Sequence, residues 1–219
     1  MLKTCDLFDL THSIAAPILE KTVYPWEALD GIKAFILEYG KSLSSEEFDS
    51  PREGVWIARD AIIAPTAFIG SPCIVDHGAE IRHGAYIRGS AVIGKFAVVG
   101  NSCEIKNAVL FDGAQVPHFN YVGDSLLGFK SHMGAGAVTS NVKSDKTLVA
   151  VRCGEETIET GRKKLGAMLG DHAEIGCNSV LNPGTVVGRD ARVYPLSSVR
   201  GTVPERAIYK CAGEIISQK

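Results

Sequence analysis

The sequence predicts an all-β chain wound as a left-handed parallel β-helix, and three observations predict it. An aliphatic residue recurs at every sixth position from Ile57 through Ile63, Ile69, Val75, Ile81, Ile87, Ile93 and Val99 to Ile105. Four residues after each of the first eight stands a small one: Ala61, Ala67, Cys73, Ala79, Ala85, Ala91, Ala97 and Cys103. The chain also holds 23 glycines against 7% aromatic residues, a composition suited to a backbone that turns often around a narrow interior. Each hexapeptide supplies a short strand and a turn. Three of them close a triangular coil, so that residues 18 apart stack and successive coils pair as parallel strands about 4.8 Å apart.

Residues 1–50 are expected to be helical. Pro25 opens a pattern in which Leu29, Ile32, Ile36, Tyr39 and Leu43 recur at spacings of three and four, with Gly40 near its end, and this predicts one amphipathic helix. Because a β-helix ends in unpaired strand edges, the segment reads as a cap over the open end. Residues 51–204 carry the repeats. After Ile105 the beat slips by one residue to Leu110, Val116 and Val122, then slips again to Leu127 and Met133. Such slips mark local rearrangements of the ladder. Residues 140–167 break the beat with polar and charged residues and are expected to form a loop excursion from one corner, a feature usually tied to function. Leu169, Ile175, Leu181, Val187, Val193 and Val199 then restore the period, with Ala173, Ser179, Thr185, Ala191 and Ser197 in step. Residues 205–219, after Pro204, form a tail that becomes a last strand or a short helix.

Composition narrows the function. A net charge of −2 offers no basic field for a nucleic-acid backbone. No apolar run approaches the roughly 20 residues that span a bilayer, and the opening MLKTCDLFDLTHS lacks the basic-then-apolar order of a signal peptide. No membrane association and a cytoplasmic location are therefore expected. The six cysteines contain no C-x-x-C pair, which argues for reduced thiols and against structural zinc.

Three groups of residues could carry chemistry. Arg88 and Lys106 each follow a core aliphatic and lie 18 apart, so stacking brings two like charges together on one edge, an arrangement that a phosphate would relieve; a solvated basic edge is the alternative. His118, in the first irregular coil within VPHFNYVGD, has the side chain best suited to accept a proton at neutral pH, although a lone histidine is commonly just packed. His77 and His83 occupy equivalent places in successive hexapeptides, a third of a coil apart, and read as surface turns.

The order VPHFNYVGDSLLG, then HMGAGAVTSN, then KKLGAMLGD, resembles the acetyltransferase domain of bacterial bifunctional N-acetylglucosamine-1-phosphate uridyltransferase/glucosamine-1-phosphate acetyltransferases, and archaeal sugar-phosphate acetyltransferases are similar. The resemblance runs from about residue 57 to 204. It implies a homotrimer that uses acetyl-CoA as co-substrate to acylate the amine of an amino sugar 1-phosphate, without a metal for acyl transfer. His118 then matches the general base, and the Ala135 N–H matches the donor to the tetrahedral oxyanion. Arg88, Lys106 and Lys164 match residues around the sugar phosphate, and Tyr121, His132 and Asn141 fall at substrate positions. Cys177 and Pro195, with Ala135, fall along the coenzyme track.

Some positions depart from that pattern. Serine and alanine are usual where Cys177 and Pro195 stand, asparagine where His132 stands, and the loop between Asn141 and Lys164 is longer by more than a dozen residues. The segment before the repeats is too short for the nucleotidyl-transfer half of the bifunctional enzymes, so that activity is not expected. Two other classes compete with acyl transfer. A γ-type carbonic anhydrase shares the prism but needs two histidines five residues apart in one chain, and five after His118 stands Gly123. A non-catalytic sensor of sugar phosphates or sugar nucleotides would keep the basic stack without the transfer.

Overall fold

A computed structural model of the chain describes residues 2–218. The repeats form a left-handed parallel β-helix, and strand register resolves its interior into three columns. One column runs Ile63, Ile81, Val99, Val116 and then Met133, Ile175, Val193, Tyr209. A second runs Val75, Ile93, Leu110, Leu127, Leu169, Val187, Val203. The third runs Ile69, Ile87, Ile105, Val122 and then Thr139, Leu181, Val199. Nearly all of these side chains are fully buried, and burying each stabilises the coil by roughly 1.5–3 kcal/mol.

The slips after Ile105 leave the columns intact. The segment from Ile105 to Leu110 is one residue shorter than that from Ile87 to Ile93, and a register shift between Ile87 and Gly89 takes up the difference. The coil above is shortened in the same place, so Val122 and Leu127 fall back over Ile105 and Leu110. Thr139 fills the third column where an aliphatic would be expected. Its hydroxyl accepts the Gly123 N–H at 2.9 Å and donates to the Tyr121 carbonyl at 3.3 Å, which satisfies a polar group inside the prism.

The N-terminal segment departs from expectation in form and place. In place of one long helix it holds a 3-10 turn Pro25–Asp30, an α-helix Ile32–Tyr39 and a 3-10 turn Gly40–Ser42, preceded by short helical pieces at Thr4–Leu7, Leu10–His12 and Ala16–Leu19. It lies along one flank of the prism instead of across its end. The reason is a second apolar row, Ile74, Val92, Val109, Leu126, Met168 and Val186, each preceding a residue of the second column and pointing outward. Trp26, Leu29, Ile32 and Ile36 bury this row. Gly40 permits close approach, since a Cβ there would lie 2.4 Å from the Trp56 ring.

Strand edges at the two ends are covered by β-structure. Phe48–Arg52 pairs antiparallel with Val55–Ala58 at the first coil. At the other end the helix continues past Pro204, with Ala207–Cys211 pairing parallel to Arg192–Val193, and Glu214–Ser217 folds back antiparallel over it. The excursion at 140–167 leaves after Thr139 and is itself a hairpin, Val149–Cys153 against Glu156–Arg162, turning near Gly154 at φ 60°. The chain rejoins the prism at Ala167–Leu169.

Candidate active site

Two corners of the prism gather the residues singled out from sequence. At the first, His118, Ala135, Cys177 and Pro195 form one ladder in successive coils. The carbonyl of His118 accepts the Gly136 N–H at 2.9 Å, that of Ala135 accepts the Asn178 N–H at 2.8 Å, and that of Cys177 accepts the Leu196 N–H at 2.9 Å. The residue after each rung, Phe119, Gly136, Asn178 and Leu196, has a positive φ between 52° and 72°, which turns the corner the same way in every coil. His118, Cys177 and Pro195 are exposed, and Ala135 is half-buried. Among the described residues the Ala135 N–H has no acceptor.

Asn120 fixes the spacing of the first two rungs. It is buried, its Oδ1 accepts the His118 N–H at 3.0 Å, and its Nδ2 donates to the carbonyls of Gly134 and Ala137 at 2.9 and 3.0 Å. One amide side chain thereby ties the backbone of the His118 coil to both sides of Ala135. The sequence signal for this was slight: a polar residue at the place where the repeat usually puts a small apolar one.

At the second corner Asn107, Asp124 and Asn141 stack at intervals of 17, and the buried Asp124 carboxylate is the hub. Asn107 Nδ2 donates to its Oδ1 at 2.9 Å and Asn141 Nδ2 to its Oδ2 at 2.5 Å, while Lys106 Nζ reaches the two oxygens at 3.2 and 3.3 Å. Asn141 also donates to the Tyr121 hydroxyl at 3.2 Å. Burial, with the negative charges of Asp124 and Glu104, pushes the Tyr121 phenol above its ordinary range, so it stays neutral. A cavity of about 330 Å³ opens beside this hub, lined by Asn107, Asp124, Lys164 and its neighbours Arg162 and Lys163, and by Asp30 of the N-terminal segment.

Two expectations change here. Arg88 and Lys106 are not a mutually repelling stack, because the register shift pairs Gly89 with Lys106 and each cation has its own carboxylate. Arg88 Nη1 donates to Glu104 Oε1 at 2.9 Å while Lys106 binds Asp124, so neither needs an anion for relief. His132 stands apart from Tyr121 and Asn141. It lies on the strand that pairs with Gln115–His118 and Glu174–Ile175, on another face of the prism, and its Nδ1 is 3.0 Å from Glu174 Oε2. Asp124 went unnoticed as a hub because the shortened coils set its spacing at 17. Among the described residues no three His, Cys, Asp or Glu side chains converge as a metal-binding group.

The family described as GMPPB C-terminal domain matches residues 69–158. A bifunctional sugar-1-phosphate nucleotidylyltransferase/acetyltransferase of Sulfurisphaera tokodaii is 37% identical over 109 residues, which is 50% of this chain and 27% of that protein. Bifunctional protein GlmU of Methanococcus aeolicus is 32% identical over 119 residues, 54% of this chain and 29% of its own. The chain thus spans less than a third of the length of these relatives. Among solved structures, Francisella novicida UDP-N-acetylglucosamine acyltransferase aligns with a TM-score of 0.46 at 17% identity, covering 72% of this chain and 63% of that one. The acetyltransferase domain of PglB from Neisseria gonorrhoeae, in complex with acetyl coenzyme A, aligns with a TM-score of 0.35 at 18% identity, covering 75% and 57%. In sequence the chain is similar, over about half its length, to bifunctional sugar-1-phosphate nucleotidylyltransferase/acetyltransferases.

Proposed function

We propose that this chain is a coenzyme-A-dependent N-acyltransferase whose acceptor is the amine of a phosphorylated or nucleotide-linked amino sugar, with glucosamine-1-phosphate the first candidate. The corner ladder carries the reading: an exposed imidazole sits one coil from a backbone N–H that has no protein acceptor, in line with the exposed Cys177 and Pro195. In this account the His118 imidazole takes a proton from the acceptor amine. The amine nitrogen forms a bond to the thioester carbonyl carbon, and the π electrons move to oxygen, where the Ala135 N–H donates to the developing charge. When the carbonyl re-forms, the C–S bond breaks and the leaving thiolate takes up the proton held on His118.

The second corner is read as the acceptor site. Lys164, which has no carboxylate partner among the described residues, supplies the free cation for the phosphate, with Lys106 and Arg88 beside it offset by Asp124 and Glu104, while Asn141, aligned by Asp124, and Tyr121, held by Asn141, orient the sugar so that its amine meets the ladder. The reading includes a homotrimer, in which a neighbour's corner walls the coenzyme groove, and a reducing cytoplasm suited to six free cysteines. The test is release of free thiol from acetyl-CoA across amino sugars, their 1-phosphates and nucleotide-linked amino sugars. One of these should be turned over, and His118→Ala should slow that turnover by about 10²–10⁴. Equal turnover in the variant would remove His118 from the mechanism.

A further inference from the structure

A second basic cavity lies on the acceptor corner, further along the prism. It holds about 140 Å³, the room of roughly four or five waters, and is lined by Lys143, Arg152 and Arg200 with Ala150, Pro183 and Gly201. Its place follows from the coil geometry. The ladder of Asn107, Asp124 and Asn141 continues through Pro183 and Gly201, because Thr139 pairs with Leu181 and Leu181 with Val199. Arg200 therefore stands on the same rung line as Lys106, and Lys143 lies two residues beyond Asn141.

The excursion hairpin is seated closely enough to bring Arg152 there. Gly184 and Gly201 have positive φ, 79° and 74°, and a Cβ on either would meet the hairpin backbone, 2.9 Å from the Ala150 carbonyl oxygen and 3.2 Å from that of Arg152. Thr202 Oγ1 donates to the Arg152 carbonyl at 2.7 Å and pins the strand. Among the described residues neither the Arg152 nor the Arg200 guanidinium has an ion-pair or hydrogen-bond partner. Lys143 Nζ is 3.5 Å from Asp145 Oδ2 and 2.5 Å from Thr147 Oγ1. One carboxylate near three cations leaves the cavity net positive, and two free guanidinium forks match phosphate oxygens in pairs.

We propose that Lys143, Arg152 and Arg200 form a second phosphate subsite, which takes a phosphate of the acceptor remote from its amine and so selects a nucleotide-linked amino sugar over a simple sugar monophosphate. The proposal rests on the acceptor reading of this corner. The coenzyme's own phosphates are the other source of the same chemistry, but the ladder assigned to the coenzyme is the His118 corner, at the opposite end of the strands that carry Leu181 and Val199.

The test uses the full chain and the double variant Arg152→Gln/Arg200→Gln. Titration with inorganic pyrophosphate, read by calorimetry, should show a binding component in the native protein that the variant loses. In thiol-release kinetics the KM for a nucleotide-linked amino sugar should rise roughly tenfold more than that for the amino sugar 1-phosphate, the scale of losing charge-assisted hydrogen bonds. Unchanged pyrophosphate binding, an equal KM change for both acceptors, or a rise in KM for acetyl-CoA but not for dephospho-CoA would each overturn the proposal. If no acceptor is turned over at all, the acyl-transfer reading fails while the pyrophosphate titration still decides the subsite.

Discussion

At the scale of single residues, chemistry depends on atoms that the repeat leaves unsatisfied or oversupplies. The Ala135 N–H is free because the corner turns at Gly136, and it stays beside the His118 coil because Asn120 binds both coils. Asn120→Ala should cost about 1–3 kcal/mol of stability for each backbone group left unpaired, measured by urea denaturation, and should lower kcat more than it raises KM. His118 was legible from its irregular coil and side-chain chemistry. Asp124 was not, because a carboxylate 17 residues from two asparagines falls outside a search at 18. The stacking of Arg88 on Lys106 was misread, because the register shift sets Gly89 opposite Lys106, and Glu104 and Asp124, which pair with the two cations, carry no periodic signal.

At the scale of elements, the N-terminal segment is held to the prism by apolar burial and by a buried carboxylate. Ile36 packs fully buried on the outward row, and Ile36→Ala should cost about 2–5 kcal/mol in chemical denaturation. Asp171 accepts the N–H of Asp9 at 2.7 Å and of Phe129 at 2.9 Å, which joins the segment to two coils. Burial raises its carboxyl above the ordinary value of 3.8, against the opposing pull of those N–H groups and Arg189. A raised folded-state value means that its contribution to stability is fully present below 3.8 and is lost as pH rises through the folded value. The non-titrating Asp171→Asn should therefore be compared at pH 7 and pH 4, where the native chain should gain on the variant as pH falls. A native chain that loses stability relative to the variant on acidification would contradict the assignment. The flank was hidden from a period-six reading, which sees interior aliphatics; its trace is the apolar runs Cys73-Ile74-Val75, Ala91-Val92-Ile93 and Ala108-Val109-Leu110.

For the whole molecule, a stack of short strands sets each corner as a line of equivalent positions, and the proposed function divides its work between two such lines. The three interior columns were readable because every coil repeats the same steric demand. Thr139 was not, since a threonine enters the column only when neighbouring backbone groups satisfy its hydroxyl. The excursion was readable as a departure from the beat but not as a hairpin, whose seating depends on Gly184 and Gly201 meeting it from distant coils. The central claim is that the His118–Pro195 ladder is the line of acyl transfer. Its most direct measurement is the alkylation rate of the exposed Cys177 thiol, followed by mass spectrometry with and without acetyl-CoA in both native chain and His118→Ala, with exposed Cys5 as internal reference. Acetyl-CoA should slow alkylation of Cys177 but not of Cys5, equally in both proteins, while turnover is slowed in the variant alone. Alkylation of Cys177 at the same rate with saturating acetyl-CoA would contradict it.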